Sequence, residues 1–135
     1  MTIEFYPARK GTILIPSGSS DHLHFICSDP VFYPELSRDC VLMVNISTIK
    51  PDLHFDQTCI LDAGDHPFVK HPSFVYYKKS DIFGADSISR NVADGTFSAH
   101  QECGDLVFEK ILAGFNTSKE VRLKIKKFFN KYCSI

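Results

Sequence analysis

The sequence points to an α+β domain: a small antiparallel β-barrel or sandwich followed by two C-terminal helices. Two observations carry that expectation. Short apolar segments with the period of two of a strand recur through the first two thirds of the chain at spacings of roughly 10 to 15 residues. The last forty or so residues change to the spacing of amphipathic helices. The 135 residues suit one domain, and 44% hydrophobic and 23% charged residues with twelve Phe and five Tyr describe a globular chain and exclude bulk disorder. The expected organisation is a single domain over residues 1–135, with the barrel over about 10–95 and helices over about 98–113 and 118–132.

The elements follow in order. Gly11-Thr-Ile-Leu-Ile-Pro16 reads as a strand and Ser17-Gly-Ser-Ser-Asp21 as a polar loop. His22-Leu-His-Phe-Ile-Cys-Ser28 alternates His22, His24 and Ile26 on one face with Leu23, Phe25 and Cys27 on the other. Asp29 to Asp39, with Pro30, Pro34 and several charges, reads as a connection. Cys40-Val-Leu-Met-Val-Asn-Ile-Ser-Thr48 is the strongest strand signal and is expected at the centre of the sheet. Thr58 to Leu61 and Ser73-Phe-Val-Tyr-Tyr-Lys-Lys79 read as further strands around the Pro- and Gly-punctuated stretch Asp62 to Pro72.

Ser98-Ala-His-Gln101 has the form of a capping box, followed by Cys103, Leu106, Val107 and Ile111 at helical spacing, with Gly114 as the expected stop. Thr117-Ser-Lys-Glu120 repeats the capping signature before a stripe of Val121, Ile125, Phe128 and Tyr132.

The longest unbroken apolar run, Cys40 to Val44, is far short of the roughly 20 residues a membrane helix requires. The N-terminus lacks the basic start and apolar region of a secretory signal, so a cytoplasmic protein is expected. Cys27, Cys40, Cys59, Cys103 and Cys133 are odd in number and show no zinc-knuckle or redox spacing, and are expected as buried thiols. The net charge of −1 conceals a polarity: residues 116–135 carry +5 and residues 1–115 carry −6. A Lys-rich surface opposite an apolar helical stripe reads first as a solvated face.

Chemistry concentrates in three places. His22 and His24, two residues apart on a strand, project to one side, and imidazoles titrating near neutrality can exchange a proton with a substrate, as transfer of a phosphodiester to a neighbouring hydroxyl requires. Ser47 and Thr48 end the strongest strand, where their hydroxyls either satisfy backbone or donate to a phosphate oxygen. The loop from Gly64 to Ser73, stiffened by Pro67 and Pro72, presents His66, Lys70, His71 and Ser73 either as a binding rim or as a solvated turn. No Gly-rich phosphate loop, paired-carboxylate site or nucleophile elbow is present.

Taken together, Gly11-Thr-Ile-Leu-Ile15, His22 to Ser28, Val41-Leu-Met-Val-Asn-Ile-Ser-Thr48, Ser73 to Ile82 and the segment from Thr96 to Leu112 resemble, in order, the strands and closing helix of the MazF/PemK family of toxin endoribonucleases. The resemblance spans roughly residues 10–114 and implies an SH3-like barrel, a homodimer, single-stranded RNA as substrate, no cofactor or metal, and a protein antitoxin that covers the active site. It places Ser47 on the family's catalytic Thr or Ser position and His22 on its catalytic Arg. His22 lacks the permanent charge and forked donors of Arg. The expected roles are therefore His22 and His24 as base and acid, Ser47 and Thr48 as phosphate donors, and Lys70, His71 and Tyr76 as RNA contacts, with His66 and Ser73 on the same rim. The competing readings are a noncatalytic binding domain on the same scaffold and a cupin-like metal site using His22, His24, Glu35 and His66 or His71.

Overall fold

The aliphatic run around Cys40–Thr48 becomes the strand on which the rest of the protein is built. The computed structural model describes residues 5–133. Its strands are β1 (Thr12–Ser17), β2 (Ser20–Ile26), β3 (Val31–Tyr33), β4 (Arg38–Thr48), β5 (Ile60–Leu61), β6 (Ser73–Val75), β7 (Asp81–Gly84) and β8 (Ser98–His100), and its helices α1 (Ala85–Ala93), α2 (Asp105–Thr117) and α3 (Leu123–Tyr132). Short 3-10 turns occupy Pro34–Leu36 and Tyr77–Lys79.

The eleven residues of β4 are shared among four antiparallel partners. On one side β3 pairs with residues 38–40 and β2 with residues 43–45; on the other β7 pairs with residues 40–43 and β6 with residues 46–48. The order β5-β6-β4-β2-β1-β8 completes the sheet. It ends on β5 and β8, which are not paired to each other, so the sheet is open. The barrel expectation is met only as far as an antiparallel α+β fold.

Alternation along β2 and β4 divides the interior in two. Leu23, Phe25, Leu42, Val44 and Ile46 face a larger core closed by Phe108, Ile111 and Phe115 of α2 and Ile125, Phe128 and Phe129 of α3. Ile13, Ile26, Val41 and Met43 face a smaller core closed by Ile88 of α1. All five cysteines are free and buried, as expected of small hydrophobes.

Several sequence expectations need correction. Ser98–His100 pairs with Leu14–Thr12 of β1 and does not open a helix; α2 begins at Asp105, and the Gln101 carbonyl is occupied by side chains from elsewhere. Leu106 is 82% exposed, and the buried stripe of α2 is Phe108, Ile111 and Phe115. Gly114 does not end α2. A Cβ there would sit 1.8 Å from the Tyr77 hydroxyl, which donates to the Ile111 carbonyl at 2.7 Å, so glycine serves as the notch that admits a buried tyrosine to the helix. The strand expected over Ser73 to Lys79 stops at Val75 and turns. α3 begins at Leu123, beyond the Thr117-Ser-Lys-Glu120 signature; there the Ser118 hydroxyl instead donates to the buried Asp56 carboxylate at 2.6 Å. The 85–93 helix was not expected from the sequence at all.

Candidate functional site

The ladder between β2 and β4 stops at His24↔Asn45. Beyond it the two strands part, and a cavity of about 460 Å³ opens between Ser20–Leu23 and Ile46–Thr48, walled on the third side by residues 68–71. Had the register continued, His22 would have stood opposite Ser47. Six residues singled out by the sequence, His22, Ser47, Thr48, Lys70, His71 and Ser73, line this one cavity. Lys50 and Phe68 line it too and were missed. Lys50 lies two residues past the end of β4, and the only signal in the sequence was a cation close behind the Ser-Thr pair.

The cavity wall is electrostatically mixed. Lys50 and Lys70 supply two positive charges and Asp21 one negative, with the imidazoles of His22 and His71 beside them. Among the described residues, the side chains of His22, Ser47 and Thr48 make no hydrogen bond to protein, which leaves their polar atoms to a ligand. The Ser73 hydroxyl donates to the His71 carbonyl at 2.9 Å, so Ser73 shapes the loop more than it offers a donor.

His24 shares the face of His22 but does not line the cavity. Its Nδ1–H donates to the His22 carbonyl at 3.1 Å, and its ring meets Phe83 edge-on with centroids 6.4 Å apart. Burial lowers its pKa, against the hydrogen bond to the His22 carbonyl and with the help of the nearby His22 imidazole, which favours the neutral ring. Tyr76 also lies off the cavity, packed against Phe74 at 5.0 Å with the Lys79 ammonium over its ring. Phe74 pairs directly with Ser47 across β4 and β6, which puts this aromatic pair beside the cavity.

His66 is displaced furthest from its expected role. It is 2% exposed. Its Nδ1 accepts from the Phe68 amide at 3.1 Å, which fixes the proton on Nε2, and Nε2–H donates to the Gln101 carbonyl at 2.7 Å. Thr12 donates to the same carbonyl at 2.7 Å. The ring thus pins the 62–72 loop to the start of β1 and the end of β8 and presents nothing to the rim. Burial lowers its pKa, opposed by the Gln101 hydrogen bond and aided by the nearby His100. With Val69 buried in the larger core, the pin fixes the loop that carries Lys70 and His71.

Among the described residues no three His, Cys, Asp or Glu side chains converge as a metal would require, and Glu35 lies in a different groove, so the cupin-like ligand set does not assemble. No helix among these residues is long and apolar enough to cross a membrane. No family model, curated protein or solved structure matches the chain. The likeness to MazF/PemK proteins rests on the sequence segments alone.

Proposed function

We propose that the cavity between β2 and β4 is the active site of a metal-independent, toxin-type endoribonuclease that cleaves single-stranded RNA. One observation supports the reading above others: two imidazoles (His22 and His71), two hydroxyls (Ser47 and Thr48) and two lysines (Lys50 and Lys70) line the same cavity. That inventory suits a phosphodiester. His22 takes the proton of the ribose 2′-hydroxyl; the 2′-oxygen forms a bond to phosphorus as the bond from phosphorus to the 5′-oxygen breaks; protonated His71 gives its proton to the departing 5′-oxygen. The products are a 2′,3′-cyclic phosphate and a 5′-hydroxyl, and no water or metal is consumed. Ser47 and Thr48 donate to the non-bridging oxygens and the lysines offset the charge that builds on them. Tyr76, half-buried and backed by Phe74, provides the stacking surface for an adjacent base. In this account His24 moves from the acid's role to a brace for the β2 backbone beside His22.

The reading carries with it the rest of the resemblance: an opened SH3-like barrel, action in the cytoplasm, a homodimer and a protein antitoxin over the cavity. The test is incubation of the purified protein with a long single-stranded RNA in excess EDTA, with mapping of the new ends. Cleavage leaving cyclic phosphates, reduced about 100-fold or more in His22→Ala and in His71→Ala, is the expected result. Full activity in His22→Ala overturns the assignment, as does cleavage that requires added metal. RNA bound without turnover would favour the noncatalytic binding domain.

A further inference from the structure

A second concavity, of about 660 Å³, lies between β3 with its following turn and α3. Its floor is apolar: Tyr33 and Phe128 meet edge-on at 5.3 Å, Phe128 and Tyr132 lie 4.8 Å apart, and Ile82 lines it with them. Its lips are apolar too. Leu36 is 43% exposed on one side and Leu123 68% on the other. Single exposed leucines are ordinary on protein surfaces, but two lining one apolar groove place water-exposed apolar surface together, and its burial has a driving force.

The charge around the groove is one-sided. Lys124, Lys127 and Lys131 line the α3 wall at spacings of three and four residues, so they form one row about 10 Å long by the rise of a helix. Lys124 lies 3.4 Å from Asp81, which also takes Arg122. Among the described residues no carboxylate pairs with Lys127 or Lys131. The opposite wall carries Glu35.

We propose that this groove docks an acidic amphipathic peptide segment, its apolar side chains between Leu36 and Leu123 and its carboxylates along the Lys124–Lys127–Lys131 row. A helical segment lying along α3 repeats at the pitch of the lysine row, the arrangement of helix-in-groove recognition. Glu35 repels a second acidic row and so sets which way the segment faces. The concavity disfavours a planar bilayer; the lips are aliphatic, and the aromatic rings of the floor, Tyr33, Phe128 and Tyr132, pack against one another rather than standing free for bases, so an RNA occupant is the competing outcome of the test. The groove adjoins β4 over residues 38–42, through Tyr33 and Ile82, whereas the β2–β4 cavity lies at residues 46–48, at least about 13 Å further along the strand, and the two share no lining residue, so the sites are separable by mutation.

The test uses the full chain and four probes: a fluorescein-labelled amphipathic peptide with leucines on one face and flanking glutamates, the same peptide with lysines for the glutamates, phosphatidylglycerol vesicles, and a short oligouridine. The acidic peptide is expected to bind, more weakly as salt rises, and about 10-fold or more weaker to Lys127→Glu/Lys131→Glu, which in turn gains affinity for the lysine peptide. Leu123→Asp should also abolish binding. Both sites are exposed, and an unchanged circular dichroism spectrum and melting temperature confirm that the variants remain folded. Equal binding of both peptides, no loss in the double variant, or preferential uptake of vesicles or RNA at this groove overturns the proposal.

Discussion

Replacing Gly114 with Ala isolates the notch in α2. On propensity alone the change would stabilise the helix by about 1 kcal/mol, since alanine is the better helix former. The geometry opposes it. The new Cβ would stand 1.8 Å from the Tyr77 Oη and 2.3 Å from its Cζ, where ordinary contact needs more than 3 Å. Tyr77 is fully buried, with Phe115 edge-on at 4.9 Å, so its ring has no free space to enter. Overpacking of this kind costs about 1–3 kcal/mol. Displacing the hydroxyl from the Ile111 carbonyl, 2.7 Å away, leaves a buried donor unpaired at about another 1–3 kcal/mol. The net expectation is a loss of about 1–5 kcal/mol, or roughly 3–15 °C in Tm for a chain of this size. Thermal and urea unfolding followed by circular dichroism would measure it. In a Tyr77→Leu background, which removes the ring that collides, the added penalty of Gly114→Ala should largely vanish. A rise in stability from Gly114→Ala alone, or strict additivity of the two changes, would refute the reasoning.

Two further outcomes follow from buried titratable groups. Burial pushes all five thiols up, Cys103 to about 11 and Cys133 to about 12, so the native protein at mild alkaline pH should show no fast reaction with Ellman's reagent, whereas the denatured chain should titrate five; one fast native thiol would contradict the packing. His66 and His24 have pKa values below the ordinary 6.5, so their stabilising contribution is complete above that pH and is lost as the unfolded chain takes up protons first on acidification. Tm should therefore fall on going from pH 7.5 toward about 5, with a shallower fall in His66→Gln, and an identical slope in that variant would remove His66 from the account.

The elements most legible in the sequence are those whose pattern and packing agree. β4 reads as a near-continuous apolar run because both its faces are covered, β2 alternates because His22 and His24 stand on the face opposite Leu23 and Phe25, and the Val121, Ile125, Phe128 stripe survives because α3 packs with one face. α1 was hidden because Ser87, Ser89, Asp86 and Asn91 favour turns and caps over helix interiors; Ile88, seated on the smaller core, and the partly buried Val92 hold it in place. The Ser98 to Gln101 segment reads locally as a helix start, but β1 offers it a strand partner and His66 and Thr12 claim its last carbonyl, contacts made across 35 and 89 residues of chain. The same holds for the candidate site. His22, Ser47, Thr48, Lys70 and His71 were visible as residue types at strand ends and in a stiff loop, whereas Lys50 and Phe68 join them only because β2 and β4 separate there. His66 resembled its rim neighbours in sequence, and only the tertiary fold shows its hydrogen bonds turned inward.

An unclosed sheet invites another chain to extend its backbone ladder, which makes polymerisation the ordinary hazard of such a topology. Here little template is left to copy. β5 contributes two residues, with the Ile60 carbonyl already taken by the Lys110 ammonium, and β8 contributes three. Where β1 runs on past β8, over Ile15 to Ser17, the middle residue is Pro16, which has no amide hydrogen to donate. Self-assembly through strand addition is thereby discouraged at both margins. At these two margins, contact between two copies is left to side chains meeting face to face.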